Sequence, residues 1–148
     1  MTSTPVFTQT PLTAAATQTS GSAWTPSGST TTNLIKILTA GSNGARVTSL
    51  IAATTDTAAN NLFIVIDAGG NGGNLGIAGQ VNVPVTAGTA AGTAATDLLN
   101  SATTPGLPVD NNGKNFIHLQ ANDVLYIGLV TGMTSGKTLF ITAQYENY

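Results

Sequence analysis

From residue 34 onward the chain is built of short apolar runs separated by turn-forming residues, and this spacing favours strands over helices. The runs are rich in β-branched side chains, which pack well on a pleated sheet. Glycine and asparagine between the runs accept the positive φ angles that tight turns need. The predicted strands cover residues 34–38, 46–53, 62–66, 75–85, 116–120, 124–130 and 138–145.

The last third of the chain carries the clearest pattern. Residues 116–145 are predicted to contain three consecutive antiparallel strands joined by short links. Before them, the pair Asn112-Gly113 predicts a hairpin with a tight primed turn, in which both residues take positive φ. In the final run Leu139, Ile141 and Ala143 alternate with mostly polar residues. This two-residue period indicates a sheet with one buried face.

Residues 86–108 lack any such pattern and consist mainly of alanine, glycine and threonine. We interpret them as a long crossover loop, within which residues 94–100 have the composition of a short helical turn. Seven or eight strands with little helix predict an all-β fold, an antiparallel two-sheet β-sandwich. The long link before Pro108 favours jelly-roll-like over immunoglobulin-like connections, and both stay open.

Residues 1–30 differ from the rest because they are polar, uncharged and poor in large apolar side chains. They are predicted to form an extended N-terminal arm, and residues 31–148 the β-sandwich domain. Phe7 and Trp24 are the expected anchors of the arm, since large aromatic rings supply most of the apolar area that an extended segment buries. The alternative is a frayed terminus, which is common where nothing ties a chain end down.

The chain is poor in charge, with four basic and six acidic residues that make up 7 % of its length. Because the basic residues are scattered singly, they form no patch that would neutralise nucleic acid phosphates or anionic lipid headgroups. Every apolar run is far shorter than a membrane-spanning helix needs. No leader pattern stands at the start, so synthesis into a cytoplasm is expected.

Catalytic chemistry has few candidate residues here. Cysteine is absent, and His118 is the single histidine. A Ser-His-Asp triad would need His118 to meet a serine and an acid, and a packed or interface histidine is the favoured interpretation. The aspartates lie at the edges of strands and loops, where carboxylates cap backbone amides. The chain is therefore predicted not to be an enzyme, with no catalytic residue.

Two loops carry oxygen ligands of the kind that calcium prefers, at residues 67–74 and 110–112. Neither has EF-hand spacing, and turn formation is the favoured interpretation of both. The glycines of residues 69–73 follow a strand but lack the lysine and the spacing of a phosphate-binding loop. The threonines of residues 88–93 do not continue as the regular array of an ice-binding surface. No metal or cofactor is predicted.

Residues 124–130 and 62–66 are apolar at successive positions, although a sandwich strand has only one inward face. An uncovered apolar face marks an interaction surface. The arm or another subunit is expected to cover it, with loop 86–108 as the alternative within the chain. The predicted interaction residues on residues 124–130 are Val124, Tyr126 and Val130.

Two stretches carry a resemblance to a known class of proteins: Ile-Leu-Thr-Ala-Gly-Ser-Asn-Gly-Ala-Arg-Val at residues 37–47, and the ending that begins Leu-Gln-Ala-Asn-Asp-Val-Leu-Tyr at residue 119. With the low charge and the polar leading segment, the chain resembles small virion structural proteins of tailed bacteriophages. The most similar class is the capsid decoration, or cement, proteins with β-sandwich folds.

The resemblance implies a non-enzymatic subunit on the capsid surface of a virion, bound to the major capsid protein or another virion protein. It also implies a homo-oligomer, often a trimer, and it assigns no residue roles. The alternative function is a head-fibre or tail-associated binding module that recognises a cell-surface glycan. Such modules present exposed aromatic rings, and this chain is only 5 % aromatic.

Overall fold

The computed structural model describes residues 10–26, 30–102 and 104–148. Within these residues the chain forms nine strands and no helix, as the alternating and β-branched runs predict. The strands are β1 (Leu12–Thr19), β2 (Leu34–Thr39), β3 (Ala45–Thr54), β4 (Asn60–Asp67), β5 (Leu75–Val83), β6 (Thr96–Asp97), β7 (Ile117–Leu119), β8 (Val124–Leu129) and β9 (Thr138–Asn147).

The strands form two antiparallel sheets, which confirms the predicted two-sheet sandwich. The five-stranded sheet has the order β1-β9-β3-β6, with β7 also paired to β3. The four-stranded sheet has the order β2-β8-β4-β5. Core side chains such as Leu50, Ile64, Ile127 and Ile141 come from both sheets and are fully buried. The core therefore lies between the inner faces, as alternation along each strand requires.

Consecutive strands often lie in different sheets. β7 and β9 both pair with β3, whereas β8 lies between β2 and β4 in the other sheet. The three strands predicted over residues 116–145 are thus present, but the structure pairs none of them with another. Their short links cross from one sheet to the other. Loop 86–108 also crosses between the sheets, and its residues 96–97 form β6 rather than a helical turn.

The predicted primed turn at Asn112-Gly113 is wrong. Gly113 takes a positive φ of 75°, but Asn112 does not. The Gly113 amide donates to the Asp110 carbonyl oxygen at 3.0 Å, and Val109 and Asn115 form a single antiparallel bridge. The Asp110 carboxylate accepts the amides of Asn112 and Lys114 at 2.8 and 2.9 Å, and these bonds favour an ordinary capped turn over the primed one.

The segment predicted as an arm contains β1, which is an edge strand of the five-stranded sheet. β1 pairs with β9 along its whole length, from Leu12 opposite Tyr145 to Thr19 opposite Thr138. Ala14 and Ala16 point inward and pack against the core. Within the described residues, this part of the chain is therefore built into the sandwich of its own subunit.

Asp56 is fully buried and fastens two loops together. Its carboxylate accepts the Ala58 amide, the Asn60 side-chain amide and the Thr134 amide, each at 3.1 Å. Burial alone would raise the pKa of this carboxyl, but the hydrogen bonds from Thr134, Asn60 and Ala58 outweigh it and hold the pKa well below its ordinary value. The ionised form of Asp56 is therefore part of the folded state.

We expect Asp56→Asn to lower the free energy of unfolding by about 2–3 kcal/mol at pH 7, because an amide turns donors toward the groups that the carboxylate accepts from. A depressed folded-state pKa contributes stability above the unfolded value and loses it as the pH falls. Urea unfolding between about pH 5 and about pH 2 should show a steeper loss of stability in the wild type than in the variant. Equal slopes would contradict this role of Asp56.

Candidate functional site

The outer face of the four-stranded sheet is largely apolar over its two central strands, β4 and β8, as predicted from residues 124–130 and 62–66. In the register of β4 and β8, Phe63 lies opposite Gly128, Val65 opposite Tyr126 and Asp67 opposite Val124. Neighbouring residues of β4, Leu62 and Ile64, belong to the core on the other side. Directly opposed residues share one face of a sheet. Phe63, Val65, Val124 and Tyr126 therefore form one outer apolar face.

Trp24 covers one end of this outer face. Its side chain is 3 % exposed, and its ring meets the Phe63 ring edge-on, with centroids 5.8 Å apart and planes at 78°. The indole N–H donates to the Thr30 carbonyl oxygen at 2.9 Å, and the Trp24 amide donates to the Leu129 carbonyl oxygen at 2.8 Å. The ring has a hydrogen-bonded polar end and a buried apolar body, as buried tryptophans require.

Gly128 leaves the space on the sheet that the indole of Trp24 occupies. A Cβ on Gly128 would lie 3.0 Å from Trp24 Cε3 and 3.0 Å from Leu34 Cδ2, closer than carbon atoms normally approach. The missing side chain on this strand therefore lets the ring lie directly on the sheet. No φ constraint is involved, since only the close approach calls for glycine here.

The glycine-rich loop after β4 covers the other end of the outer face. A Cβ on Gly70 would lie 3.2 Å from Val124 Cγ2 and would collide with the Asn122 carbonyl oxygen. Gly72 approaches Thr31, so the loop meets the segment that follows Trp24. Two carboxylates hold the loop: Asp67 accepts the Gly72 amide at 2.8 Å and Asp123 accepts the Gly69 amide at 2.9 Å. Residues 67–74 thus act as a structural cover.

The structure brings four of the five predicted interaction residues to this outer side of the four-stranded sheet. Trp24 and Val124 are buried by their own chain, whereas Tyr126 and Val130 are half-buried. Burial raises the pKa of Tyr126, with a further increase from the nearby Asp67 charge. Phe7 lies outside the described residues.

Loop 86–108 was the alternative cover for this outer face within the chain. Its Ala87 and Leu98 backbones form hydrogen bonds with β3, in the other sheet.

The outer face of the five-stranded sheet is uncharged over β1 and most of β9. We call this surface the threonine face; it consists of Thr13, Ala15, Thr17, Thr19, Thr138, Phe140, Thr142 and Gln144. All four of its β1 residues are exposed, and Phe140 is 39 % exposed in the middle of it. Phe140 is the residue that interrupts the polar face of the last strand. A face of this composition costs less to dehydrate than a charged one.

The edge of the threonine face is a second unusual feature. In the described part of the chain β1 pairs only with β9, so its other side presents backbone donors and acceptors. Natural edge strands usually carry lysine, internal proline or a bulge that prevents pairing with another chain. β1 has none of these along its eight residues. Such an edge accepts a partner strand by backbone hydrogen bonding.

The same sheet also carries a groove beside β3 and β7. Its lining includes charged, aromatic and amide side chains. The groove encloses about 520 Å³ and is lined by Arg46, Val109, Asp110, Asn111, Asn112, Phe116, His118 and Tyr148. In the sheet register Arg46 lies opposite both His118 on β7 and Glu146 on β9. β3 therefore places its only charged side chain between an aromatic and an acidic neighbour.

Two ring contacts order this groove. The Arg46 guanidinium carbon lies 4.3 Å from the centre of the Phe116 ring, a cation–π distance. The rings of His118 and Tyr148 lie 5.4 Å apart at 37°, and His118 Nδ1 is 3.3 Å from the Tyr148 hydroxyl. His118 is exposed in the groove wall rather than packed in a core. Among the described residues, the hydrogen-bond contact of its ring is with Tyr148.

Sequence reasoning singled out His118 and residues 110–112 but not Arg46, Phe116 or Tyr148. These residues are far apart in the chain, and only the pairing of β3 with both β7 and β9 assembles them. The sequence signal for the groove was that Arg46 and His118 each stand between two apolar residues of a strand and therefore point outward. Among the described residues no three acidic or histidine side chains come together as a metal site.

Comparisons of the chain with protein-family models, curated proteins and solved structures find no match. The described residues include no helix of the length and apolarity that a bilayer crossing requires.

We expect Trp24→Ala to lower the free energy of unfolding by about 3 kcal/mol, because the indole is buried and leaves a cavity over Gly128. Trp24 is the single tryptophan, so its fluorescence reports this site alone. The wild type should emit at the short wavelengths of a buried indole, and Gly128→Ala should shift the emission to longer wavelength.

Gly76→Ala is the matched control, because a Cβ there meets nothing closer than 3.9 Å. It should leave the emission unchanged. A Trp24→Ala cost below about 1 kcal/mol, or an exposed-type spectrum in the wild type, would contradict the intrachain seat of the indole.

Proposed function

We propose that the chain is a non-enzymatic virion structural protein, a capsid decoration (cement) subunit that binds and stabilises a phage head. The observation that supports this proposal most directly is the threonine face with its open edge strand β1. It combines an uncharged surface, a central exposed Phe140 and an edge whose backbone groups have no strand partner among the described residues. These properties suit repeated docking on a shell better than they suit turnover of a substrate.

The proposed partners come from the resemblance, and the same surface would be their docking site. The major capsid protein or another virion protein would pair with β1 and lie against β9, and the capsid surface would be the location. A homo-oligomer, with a trimer favoured, would hold each subunit by further contacts with its copies. The scarcity of charge supports this proposal, since few ions must lose water when such contacts close. The resemblance to tailed-phage decoration proteins points the same way.

We expect the purified protein to be a stable homo-oligomer in light scattering at micromolar concentration. It should also co-sediment with heads of the virus that encodes it, assembled in its absence. Thr17→Lys places a charge on the exposed centre of β1, opposite Phe140. Since lysine on an edge strand opposes pairing, we expect it to weaken head binding by about tenfold or more.

Gln80→Lys is the matched control, because Gln80 is exposed on β5 in the other sheet. It adds the same charge away from the threonine face and should bind heads like the wild type. Both variants should unfold at the wild-type temperature, as exposed substitutions usually do. A monomer that does not bind heads, or equal binding by Thr17→Lys, would count against the proposed surface.

A further inference from the structure

We propose that the groove between β3, β7 and the chain end binds a neutral saccharide. This binding site is separate from the threonine face and does not depend on the capsid function proposed above. The groove is a surface hollow of about 520 Å³, large enough for one or two sugar rings. Its lining combines aromatic rings with polar side chains.

The ring faces come from Tyr148 and His118. They contact each other at 5.4 Å and open to the groove, with His118 exposed and Tyr148 half-buried. A pyranose ring has an apolar face of C–H groups, which packs on an aromatic ring as other apolar surfaces do. The contact between His118 Nδ1 and the Tyr148 hydroxyl at 3.3 Å helps to orient the tyrosine ring before a ligand arrives.

The polar side chains of the groove include both donors and acceptors. Arg46 lines the groove, with its guanidinium held on Phe116 and its Nε buried. The Asp110 carboxylate lines the groove, with Oδ1 committed to the amides of Asn112 and Lys114. Sugar hydroxyl groups donate and accept at once, so one ring can satisfy an arginine and a carboxylate together.

Local charge gives no preference for an anionic ligand. The Lys114 and Asn112 amides and the charges of Arg46 and Lys114 outweigh the effect of burial and lower the pKa of Asp110, which therefore stays ionised at neutral pH. Glu146 lies opposite Arg46 in the sheet register and adds a second negative charge nearby. The two cations and the two carboxylates balance, so there is no net positive charge here to attract a phosphate or a polyanionic glycan. A neutral ring needs no such charge.

The test is a glycan array of neutral oligosaccharides of glucose, galactose, mannose and N-acetylglucosamine, together with sialylated and sulfated glycans. Titration calorimetry then measures the best neutral glycan and, separately, inorganic phosphate. We expect a neutral glycan to bind with a Kd of about 0.1–1 mM, as a shallow and open site allows. Phosphate and the acidic glycans should show no binding at this site.

Tyr148→Ala should weaken glycan binding by about tenfold or more, since it removes the ring face, and Tyr148→Phe should keep most of it. Phe140→Ala is the matched control, because it removes an exposed aromatic ring from the same sheet outside the groove. It should bind like the wild type. Circular dichroism should show that every variant is folded.

Three results would overturn the proposal: no neutral glycan bound at about 10 mM, binding confined to sialylated or sulfated glycans, or full binding by folded Tyr148→Ala. None of these results bears on head binding, which involves Thr17 and the threonine face. Conversely, loss of head binding in Thr17→Lys with glycan binding intact would separate the two surfaces.

Discussion

A strand that is apolar on both faces must be covered on both, and β8 imposes this requirement on the whole chain. Its inner residues meet the other sheet in the core, while its outer face would remain in water without a second layer. The chain supplies that layer from two places, the indole of Trp24 over Gly128 and the glycine-rich loop over Val124. Burial of a tryptophan body contributes several kcal/mol to holding Trp24 on the sheet.

Several of the few carboxylates hold loops in place. Asp56, Asp67 and Asp123 are buried and accept amide hydrogen bonds from loops that have little apolar surface of their own. Hydrogen bonds to a charged acceptor are stronger than neutral ones, so a few carboxylates can order long polar loops. Asp67 Oδ1 has no partner among the described residues, which makes Asp67 the least satisfied member of the set. The outward-facing residues of β1 are left as threonine and alanine.

Seven of the nine strands and the two-sheet class could be predicted because each of these strands has a local apolar pattern in the sequence, whereas β1 and β6 have none. Leu139, Ile141 and Ala143 alternate in sequence and are all buried in the structure. Pairing could not be predicted in the same way, since β7, β8 and β9 are close in sequence but find partners far along the chain. The prediction of a primed turn at Asn112-Gly113 failed for a local reason. The Asp110 carboxylate caps the turn, and a prediction from the Asn-Gly pair alone does not take such a cap into account.

The candidate sites depended on that pairing. The apolar second face of residues 124–130 was visible in the sequence, but its cover was not, because a single tryptophan in a polar segment carries no information about where it packs. The groove could not be predicted from the sequence for a related reason. Arg46 lies near Phe116, His118 and Tyr148 only because β3 pairs with both β7 and β9. Long-range contacts of this kind leave no periodic trace in the chain.

Both proposed surfaces lie on the outer side of the five-stranded sheet, and their separation decides whether they can work together. Along β9, Phe140 at the centre of the threonine face and Glu146 beside Arg46 are six residues apart, or about 20 Å. A partner strand added to β1 extends the sheet at the edge away from β3 and β7. The groove would then stay open to solvent while the subunit is docked, so attachment through β1 and ligand binding beside β7 do not compete for the same side chains.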